Sequence, residues 1–197
     1  MKVALEASSL FFKNYTGIPF YCYNLYQGLS QLTDIDTVLA FRLKKKYTTH
    51  THFHKDILQN PHYWHWQNLM FPRIRTNVVH SLHTPFLNKP GSLKVATVHD
   101  LAVHLPQHEG LTLATPYFKK KRLALFKSFH KHADCIITVS QATKRDFLKF
   151  FEFPEEKIHV VPLAPSLNFS KGKQDNAVLK DLGLREKSYF IAMGGVS

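Results

Sequence analysis

Six short apolar segments, spaced along the chain, constrain the fold more than any other feature of the sequence. They are Val3 to Ala7, Thr37 to Phe41, Val78 to Leu82, Val95 to Val98, Cys135 to Val139 and His159 to Leu163. Their interiors are rich in Val, Ile, Leu and Ala with little polar alternation, which is typical of strands that are covered on both faces. We therefore predict a parallel β-sheet with helices packed on both sides.

Helical patterns separate these segments. A helix is predicted from about Gly17 to Leu32, because its apolar residues recur at helical spacing. A second is predicted over Pro116 to His132, where the proline suits the first turn. A third is predicted from Ser140, a suitable N-cap, to about Phe151. This alternation of strand and helix predicts an α/β fold, a Rossmann-like doubly wound parallel sheet.

Four of the predicted strands end at polar residues. In an open parallel sheet, ligands bind in the crevice beyond the carboxyl ends of the strands. The residues at these ends are Ser8 and Ser9, His83 and Thr84, His99 and Asp100, and Ser140. The sequence therefore predicts a ligand cleft along one rim of the sheet. For His99 and Asp100 the alternative is a histidine satisfied within the fold and a cap for the following turn.

The loop after the first strand has one glycine, Gly17, at the predicted start of a helix. It lacks the G-x-G-x-x-G pattern of dinucleotide folds and the spacing of a P-loop. A glycine at a helix N-terminus still allows close approach of a ligand to backbone N–H donors, which suits phosphate. A turn glycine without a ligand is the alternative.

The chain is strongly basic, with 26 Lys and Arg against 14 Asp and Glu and a formal net charge of +12. Such a charge favours an anionic partner, whether nucleic acid, a phospholipid surface or a phosphorylated substrate. On the helix predicted over Pro116 to His132, the residues Lys120, Lys127 and Lys131 form a face that is either solvated or lies on an anionic membrane. Arg122 falls on the apolar side, so it must snorkel, form a pair or face a ligand. No signature of a standard nucleic-acid-binding module is present, so nucleic acid is not expected as the partner.

The predicted location is cytoplasmic, with association to the inner face of the membrane left open. Cys22 and Cys135 both lie in apolar segments and are expected to be reduced core residues. The first apolar run is too short and too polar for a signal peptide. No stretch approaches the roughly 18 apolar residues that a membrane-spanning helix needs.

Neither a metal site nor a bound cofactor is predicted. Asp34 and Asp36 have D-x-D spacing, but they lie between a helix and a strand at the amino side, which indicates a turn. His50, His52 and His54 alternate without the partner residues of a zinc site, which favours a solvated loop.

Five blocks of the sequence, taken in order, resemble a known family. They are TGIPFYCYNLYQGL, YWHWQNLMFP followed by VVHSLHTPF, KVATVHDL, ADCIITVSQATKRDFLKFF and KIHVVPLAP. Their order and spacing resemble the N-terminal half of family-4 glycosyltransferases of the GT-B type. The resemblance implies an acceptor-side Rossmann-like domain over residues 1–169, an interdomain linker over 170–188 and, in 189–197, the first strand of a truncated donor-binding domain. An additional strand of the first sheet is the alternative for this last segment.

The resemblance also implies an activity. It is the retaining transfer of a hexosyl group from a nucleotide-sugar donor to a hydroxyl acceptor, such as a lipid-linked glycan of polysaccharide biosynthesis, without a metal. His99 and Asp100 match the catalytic position, and Gly17 with Ile18 matches the loop near the donor phosphates. Pro19 replaces a second glycine that is common there and removes one N–H donor.

The remaining cleft residues are expected to bind the acceptor; they are Ser8, Ser9, His83, Thr84 and Ser140. Because the family's donor-binding residues have no counterpart in this chain, the chain alone is expected to be inactive. The alternative function is a non-catalytic α/β domain that binds carbohydrate or an anion.

Overall fold

The predicted parallel sheet is present and is larger than the sequence indicated. The strands are β1 (Lys2–Glu6), β2 (Asp36–Arg42), β3 (His62–Trp66), β4 (Leu69–Phe71), β5 (Val78–Ser81), β6 (Leu93–Val98), β7 (Cys135–Thr138) and β8 (Ile158–Val160). They form one sheet in the order β4-β3-β2-β1-β5-β6-β7-β8. All neighbouring strands are parallel except β3 and β4, which are antiparallel.

The structure is a computed structural model that describes residues 1–11, 17–42, 57, 59–66, 69–71, 75–86, 91–105, 115–164, 176–185 and 188–190. The chain divides into two compact units, Met1–Leu163 and Ala164–Ser197. The sheet lies in the first unit.

The three helices that the sequence predicts are present, and the structure has a fourth helix that was not predicted. They are α1 (Ile18–Ser30), α2 (Pro116–His132), α3 (Gln141–Phe150) and, in the second unit, α4 (Asn176–Asp181). At the start of α2 the Thr115 hydroxyl accepts a hydrogen bond from the Phe118 N–H at 3.2 Å. At the start of α3 the Ser140 hydroxyl accepts from the Thr143 N–H at 3.0 Å, so the predicted N-cap is confirmed.

The side chains of β6 alternate between the two faces of the sheet, and their contacts show that helices cover both faces. Ala96 and Val98 pack in a core cluster with Phe126 and Phe129 of α2. Thr97, which lies between them, is instead hydrogen-bonded to Tyr21 of α1. Because successive side chains of a strand point to opposite faces, α1 and α2 lie on opposite faces of β6. The doubly wound prediction is therefore confirmed.

Two apolar clusters form the main core. One joins α1 to β1 and β2 through residues such as Leu5, Cys22 and Leu39. The other joins α2 and α3 to β6 and β7 and is rich in phenylalanine, with the rings of Phe147 and Phe151 4.9 Å apart. Both cysteines are free thiols; Cys22 is buried and Cys135 is half-buried.

Strands β3 and β4 are the elements that the sequence did not predict. The β3 sequence HYWHW mixes histidine with aromatic residues and lacks the aliphatic run by which the other strands were recognised. Strand β3 nevertheless pairs with β2 from Leu39 to Arg42, because the edge of β2 offers unpaired backbone groups. The structure also starts β6 earlier, at Leu93, because Leu93 still pairs with Val78. Conversely, β8 ends at Val160, earlier than predicted, as a short edge strand.

The structure bears on the predicted turn at Asp34 and Asp36, on the three alternating histidines and on the predicted last strand to different extents. Asp34 lies in a turn, and Asp36 opens β2 and pairs with Lys2 at 2.8 Å. The histidines at 50, 52 and 54 lie outside the described residues. Tyr189 and Phe190 are not in a strand, and the rest of the strand predicted over 189–197 lies outside the described residues.

The second unit contains α4 within the segment predicted as a linker. The helix is closed by Gly183, which has φ 64°, and by a hydrogen bond from the Leu184 N–H to the Leu179 carbonyl at 2.8 Å. Glycine adopts this left-handed conformation without steric cost, which suits a helix end.

Removal of a core ring from α2 tests the packing of the second cluster. Phe129 is fully buried, and its ring lies 5.3 Å from that of Phe86. We expect Phe129→Ala to lower the free energy of unfolding, measured by urea denaturation, by about 3–5 kcal/mol through the lost contacts and the cavity left behind.

Tyr117→Ala is the matched control, because Tyr117 lies in the same helix and is 76% exposed. Its effect should stay within about 0.5 kcal/mol. Equal losses in the two variants would contradict the assigned orientation of α2.

Candidate active site

The strand order reverses between β1 and β5. Strands β2 and β3 follow β1 in one direction, whereas β6, β7 and β8 follow β5 in the other. In open α/β sheets this switch point is where a crevice forms at the carboxyl ends of the strands. His83 lies just after β5, and His99 and Asp100 come directly after β6. The predicted cleft residues of these two loops therefore lie at the same rim.

His99 is held firmly but keeps one ring nitrogen without a hydrogen bond. Its ring packs edge-on against Tyr21 of α1, with centroids 4.8 Å apart. Its backbone carbonyl accepts a hydrogen bond from the Thr143 hydroxyl at 3.2 Å, which links the end of β6 to the start of α3. Its Nε2 atom is buried and has no hydrogen-bond partner among the described residues. A polar atom in this state favours a ligand over the alternative of a histidine satisfied within the fold.

The surroundings of His99 keep its imidazole neutral. Burial lowers the pKa of His99 to about 4, the carboxylate of Asp100 opposes this, and the charges of Arg122 and His83 lower the pKa further. At neutral pH the ring can therefore donate one hydrogen bond and accept another, as a sugar hydroxyl requires.

Asp100 caps a turn and faces solvent. Its Oδ1 atom accepts a hydrogen bond from the Ala102 N–H at 3.1 Å, at the start of the short 3-10 turn Ala102–His104. This is the capping role considered for Asp100 from the sequence. The side chain is also exposed beside His99, so capping and contact with a ligand are compatible.

A buried polar row lies behind His99. The Nε2 atom of His80 on β5 lies 2.8 Å from the hydroxyl of Thr97 on β6. Burial lowers the pKa of His80 to about 4, and the charge of His99 lowers it further. Burial raises the pKa of the Tyr21 hydroxyl, which a hydrogen bond with Thr97 partly opposes. Tyr21, Thr97 and His80 thus join α1, β6 and β5 directly below the rim.

Arg122 of α2 approaches the same rim from the other face of the sheet. Its guanidinium carbon lies 4.9 Å from the centroid of the Phe126 ring. Burial lowers the pKa of Arg122, and the carboxylate of Asp100 opposes this. The charge of Arg122 in turn lowers the pKa of both His99 and His104. Of the options left open by the sequence, an ion pair is not formed among the described residues.

A sequence comparison identifies the family to which this domain belongs. The profile of the family described as Glycosyltransferase Family 4 matches residues 15–165, well over half of the chain. The chain belongs to glycosyltransferase family 4. No curated protein matches the chain. The matched range contains α1, the rim residues after β5 and β6, and Arg122, and it is consistent with the N-terminal half of a GT-B enzyme.

In this glycosyltransferase domain, two predicted cleft residues turn inward. Ser8 and Ser9 are both buried in the 3-10 turn Ser8–Phe11. The Ser8 hydroxyl accepts a hydrogen bond from the Arg42 N–H at 2.8 Å and so ties the end of β2 to that turn. We assign both serines to the scaffold and leave them out of the proposed site.

Three other predicted cleft residues differ in how far they are accessible. Thr84 is buried, and its carbonyl accepts a hydrogen bond from the Ser81 hydroxyl. Ser140 is half-buried and is engaged in capping α3. His83 is half-buried, and its charge influences the pKa of His99. Of these three, His83 has the position closest to that expected of a ligand-binding residue.

A buried carboxylate that the sequence did not single out as a site residue lies at the switch point. Glu6 ends β1, is only 1% exposed, and has no hydrogen bond to its carboxylate among the described residues. Its nearest cation is the Nε atom of Arg42, 3.8 Å away. The Nη2 atom of Arg42 donates to the Pro85 carbonyl at 3.3 Å, so Arg42 spans the ends of β2, β1 and the loop after β5.

The predicted donor-phosphate loop lies near His99. Gly17 is one helical turn before Tyr21, and the Tyr21 ring contacts His99. Gly17 precedes α1 with φ 56°, and its carbonyl accepts a hydrogen bond from the Tyr21 N–H at 2.9 Å. Because Tyr21 also contacts His99, the start of α1 at Ile18 is close to the rim. The N-terminus of α1 has no side-chain cap, and Pro19 lacks an N–H.

The basic face of α2 is exposed as the sequence predicts. Lys120, Lys127 and Lys131 are all exposed. Phe118 is 45% exposed at the first turn of the same helix. Tyr117 beside it is also exposed.

No helix in the described part of the chain has the length and apolar character needed to cross a bilayer. Within the same residues, no group of three or more His, Cys, Asp or Glu side chains is arranged to hold a metal ion.

The buried histidines predict how stability depends on pH. The pKa of His80 falls from 6.5 to about 4 on folding, so the unfolded chain binds more protons between these values. The free energy of unfolding should be highest above pH 6.5 and should decrease as the pH falls toward 4, with His80 contributing up to about 3 kcal/mol of that decrease.

His99 acts in the same direction, so His80→Gln should reduce the pH dependence without abolishing it. Urea denaturation near pH 7 and near pH 4 measures the difference for both proteins. An unchanged pH dependence in the variant would show that His80 is not buried in its neutral form.

Proposed function

We propose that this glycosyltransferase domain holds the acceptor during retaining transfer of a hexosyl group from a nucleotide-sugar donor to an acceptor hydroxyl. The observation that carries the proposal is the neutral imidazole of His99, which keeps an unpartnered Nε2 among the described residues at the rim of the sheet. Membership of glycosyltransferase family 4 supports the reaction type.

The transfer breaks the bond between the sugar carbon and the donor phosphate and forms a bond to the acceptor oxygen. Positive charge develops on the sugar carbon and negative charge on the leaving phosphate, so the site must position both partners. His99 is proposed to hydrogen-bond a sugar hydroxyl, and Asp100 to accept from the acceptor hydroxyl. The proton of the acceptor hydroxyl leaves with the departing phosphate. This scheme requires no metal.

The start of α1 is proposed to approach the donor phosphates. Gly17 and Ile18 lie within a helical turn of Tyr21, which contacts His99. Uncapped N–H groups at a helix start favour negative charge. The residues that grip the nucleotide are proposed to belong to a second, donor-binding domain, so residues 1–197 alone should bind acceptor without transferring sugar.

The catalytic role of His99 can be tested in the enzyme that combines this domain with its donor-binding domain. We expect His99→Ala to lower kcat/KM by about 100-fold or more, because a positioned hydrogen-bonding group at the reacting centre is lost. The measurement is transfer of labelled sugar, with the anomeric configuration of the product read by NMR. His132→Ala, an exposed histidine at the end of α2, is the control.

Three outcomes would oppose the proposal. Normal transfer by residues 1–197 alone would place donor binding in this chain, and an inverted product would refute retention. Acceptor binding without transfer, even with the donor domain supplied, would favour the alternative of a non-catalytic domain that binds carbohydrate or an anion.

We also propose that the domain works in the cytoplasm on the inner face of a membrane, where lipid-linked acceptors would be presented. Lys120, Lys127 and Lys131 supply an exposed basic face, and Tyr117 and Phe118 expose aromatic rings at the start of the same helix. Lysines attract anionic headgroups, and aromatic side chains favour the interfacial region.

Vesicle binding tests the membrane proposal. Each lysine near an anionic surface is worth about 1 kcal/mol, so replacing Lys120, Lys127 and Lys131 together with Gln should weaken binding to vesicles containing phosphatidylglycerol on the order of 100-fold. The control variant replaces Lys2, Lys149 and Lys157 with Gln. It removes the same number of positive charges from positions outside α2. Equal losses in the two triple variants, or equal binding to neutral vesicles, would contradict a specific basic face.

A further inference from the structure

Arg122 is a cationic side chain at the rim that the proposed reaction does not use. The other basic residues discussed on α2, Lys120, Lys127 and Lys131, are exposed to solvent. Arg122 is half-buried on the side of the helix that contacts the core. Partial burial of a permanent positive charge is unfavourable unless a partner compensates it.

Among the described residues the carboxylate of Asp100 acts on the charge of Arg122, but no acceptor contacts the guanidinium directly. Arg122 forms no ion pair with a carboxylate there, and its guanidinium makes no hydrogen bond to these residues. The one fixed contact is the face of the Phe126 ring, 4.9 Å from the guanidinium carbon. Stacking holds the plane of the guanidinium and leaves its N–H edge for an acceptor.

Three titratable groups on neighbouring segments interact with Arg122. They are His99 and Asp100 after β6 and His104 in the following turn, whose ring lies 6.0 Å from the Phe126 ring that Arg122 contacts. Asp100 is the single acid among them, and it is already engaged with the Ala102 N–H. At neutral pH the imidazole of His99 is uncharged, so this part of the rim combines the guanidinium of Arg122 with a neutral ring whose Nε2 has no hydrogen-bond partner among the described residues.

We propose that Arg122 binds an oxyanion of the acceptor, a phosphate or a carboxylate, and so selects acceptors that carry a negative charge near the reacting hydroxyl. The planar guanidinium matches the geometry of both groups, and two parallel N–H bonds can be formed to either. A neutral sugar hydroxyl would leave the N–H edge of the guanidinium without a charged acceptor. This inference rests on the proposed function, because it assigns the acceptor to this domain.

The first test titrates residues 1–197 with inorganic phosphate, followed by NMR or calorimetry. Arg122→Gln should weaken phosphate binding about 10- to 100-fold, the range expected for a charge-assisted bidentate contact. Arg122→Lys should keep part of the affinity because it keeps the charge without the fork. Lys127→Gln, an equal loss of charge on the exposed face of the same helix, should have little effect.

The second test identifies the source of the oxyanion in the enzyme that combines both domains. Arg122→Gln should raise the KM for an acceptor that bears a phosphate and should leave the KM for the nucleotide-sugar unchanged. A rise only in the donor KM would assign Arg122 to the donor diphosphate and would overturn the inference.

Phosphate binding that is equal in wild type, Arg122→Gln and Lys127→Gln would also overturn it. The titration does not depend on transfer, so its result stands apart from that of the His99 experiment. If phosphate binding requires Arg122 but no transfer occurs with the donor domain supplied, the oxyanion site is retained and the proposed reaction fails. Unchanged circular dichroism of each variant excludes misfolding as the cause.

Discussion

Parallel pairing of β5, β6 and β7 is the constraint on which the rest of the structure depends. In a parallel sheet all carboxyl ends lie along one edge, so loops that are far apart in the sequence meet there. Helices cover β6 from both faces, which leaves this edge as the place where polar groups can contact a ligand. Tyr21 approaches the edge from one face and Arg122 from the other, with His99 and Asp100 between them.

The electrostatics of the rim follow from this packing. Burial beneath the helices lowers the pKa of His80 and of His99 to about 4, so both imidazoles are neutral at physiological pH. Arg122 stays charged because a guanidinium does not lose its proton in proteins. A glycosyltransferase family 4 domain thus combines a neutral hydrogen-bonding ring with a permanent cation at one edge. These are suitable partners for a sugar hydroxyl and for an oxyanion, respectively.

Much of the fold could be predicted because the strands of a doubly wound sheet are apolar runs with local signals at both ends. The bounds of α2 and the N-cap of α3 at Ser140 followed from such local signals, Pro116 and a serine before an amphipathic run. Strand β3 was missed because its composition lacks an aliphatic run, and β4 was missed because it has only three residues and is fixed by pairing with β3.

The sequence by itself determined the fold class, the family resemblance and the strand ends from which site residues would come, because apolar periodicity and motif order are local properties. Only the tertiary structure decided which of those residues face the rim. Ser8 and Ser9 are buried in a tight turn, whereas the charge of Arg122, whose partner the sequence left open, interacts with that of Asp100. The pairing of His80 with Thr97 was equally inaccessible from the sequence, because it depends on the register of β5 against β6. Register and helix placement are set by contacts between distant segments, and these have no signature in either segment alone.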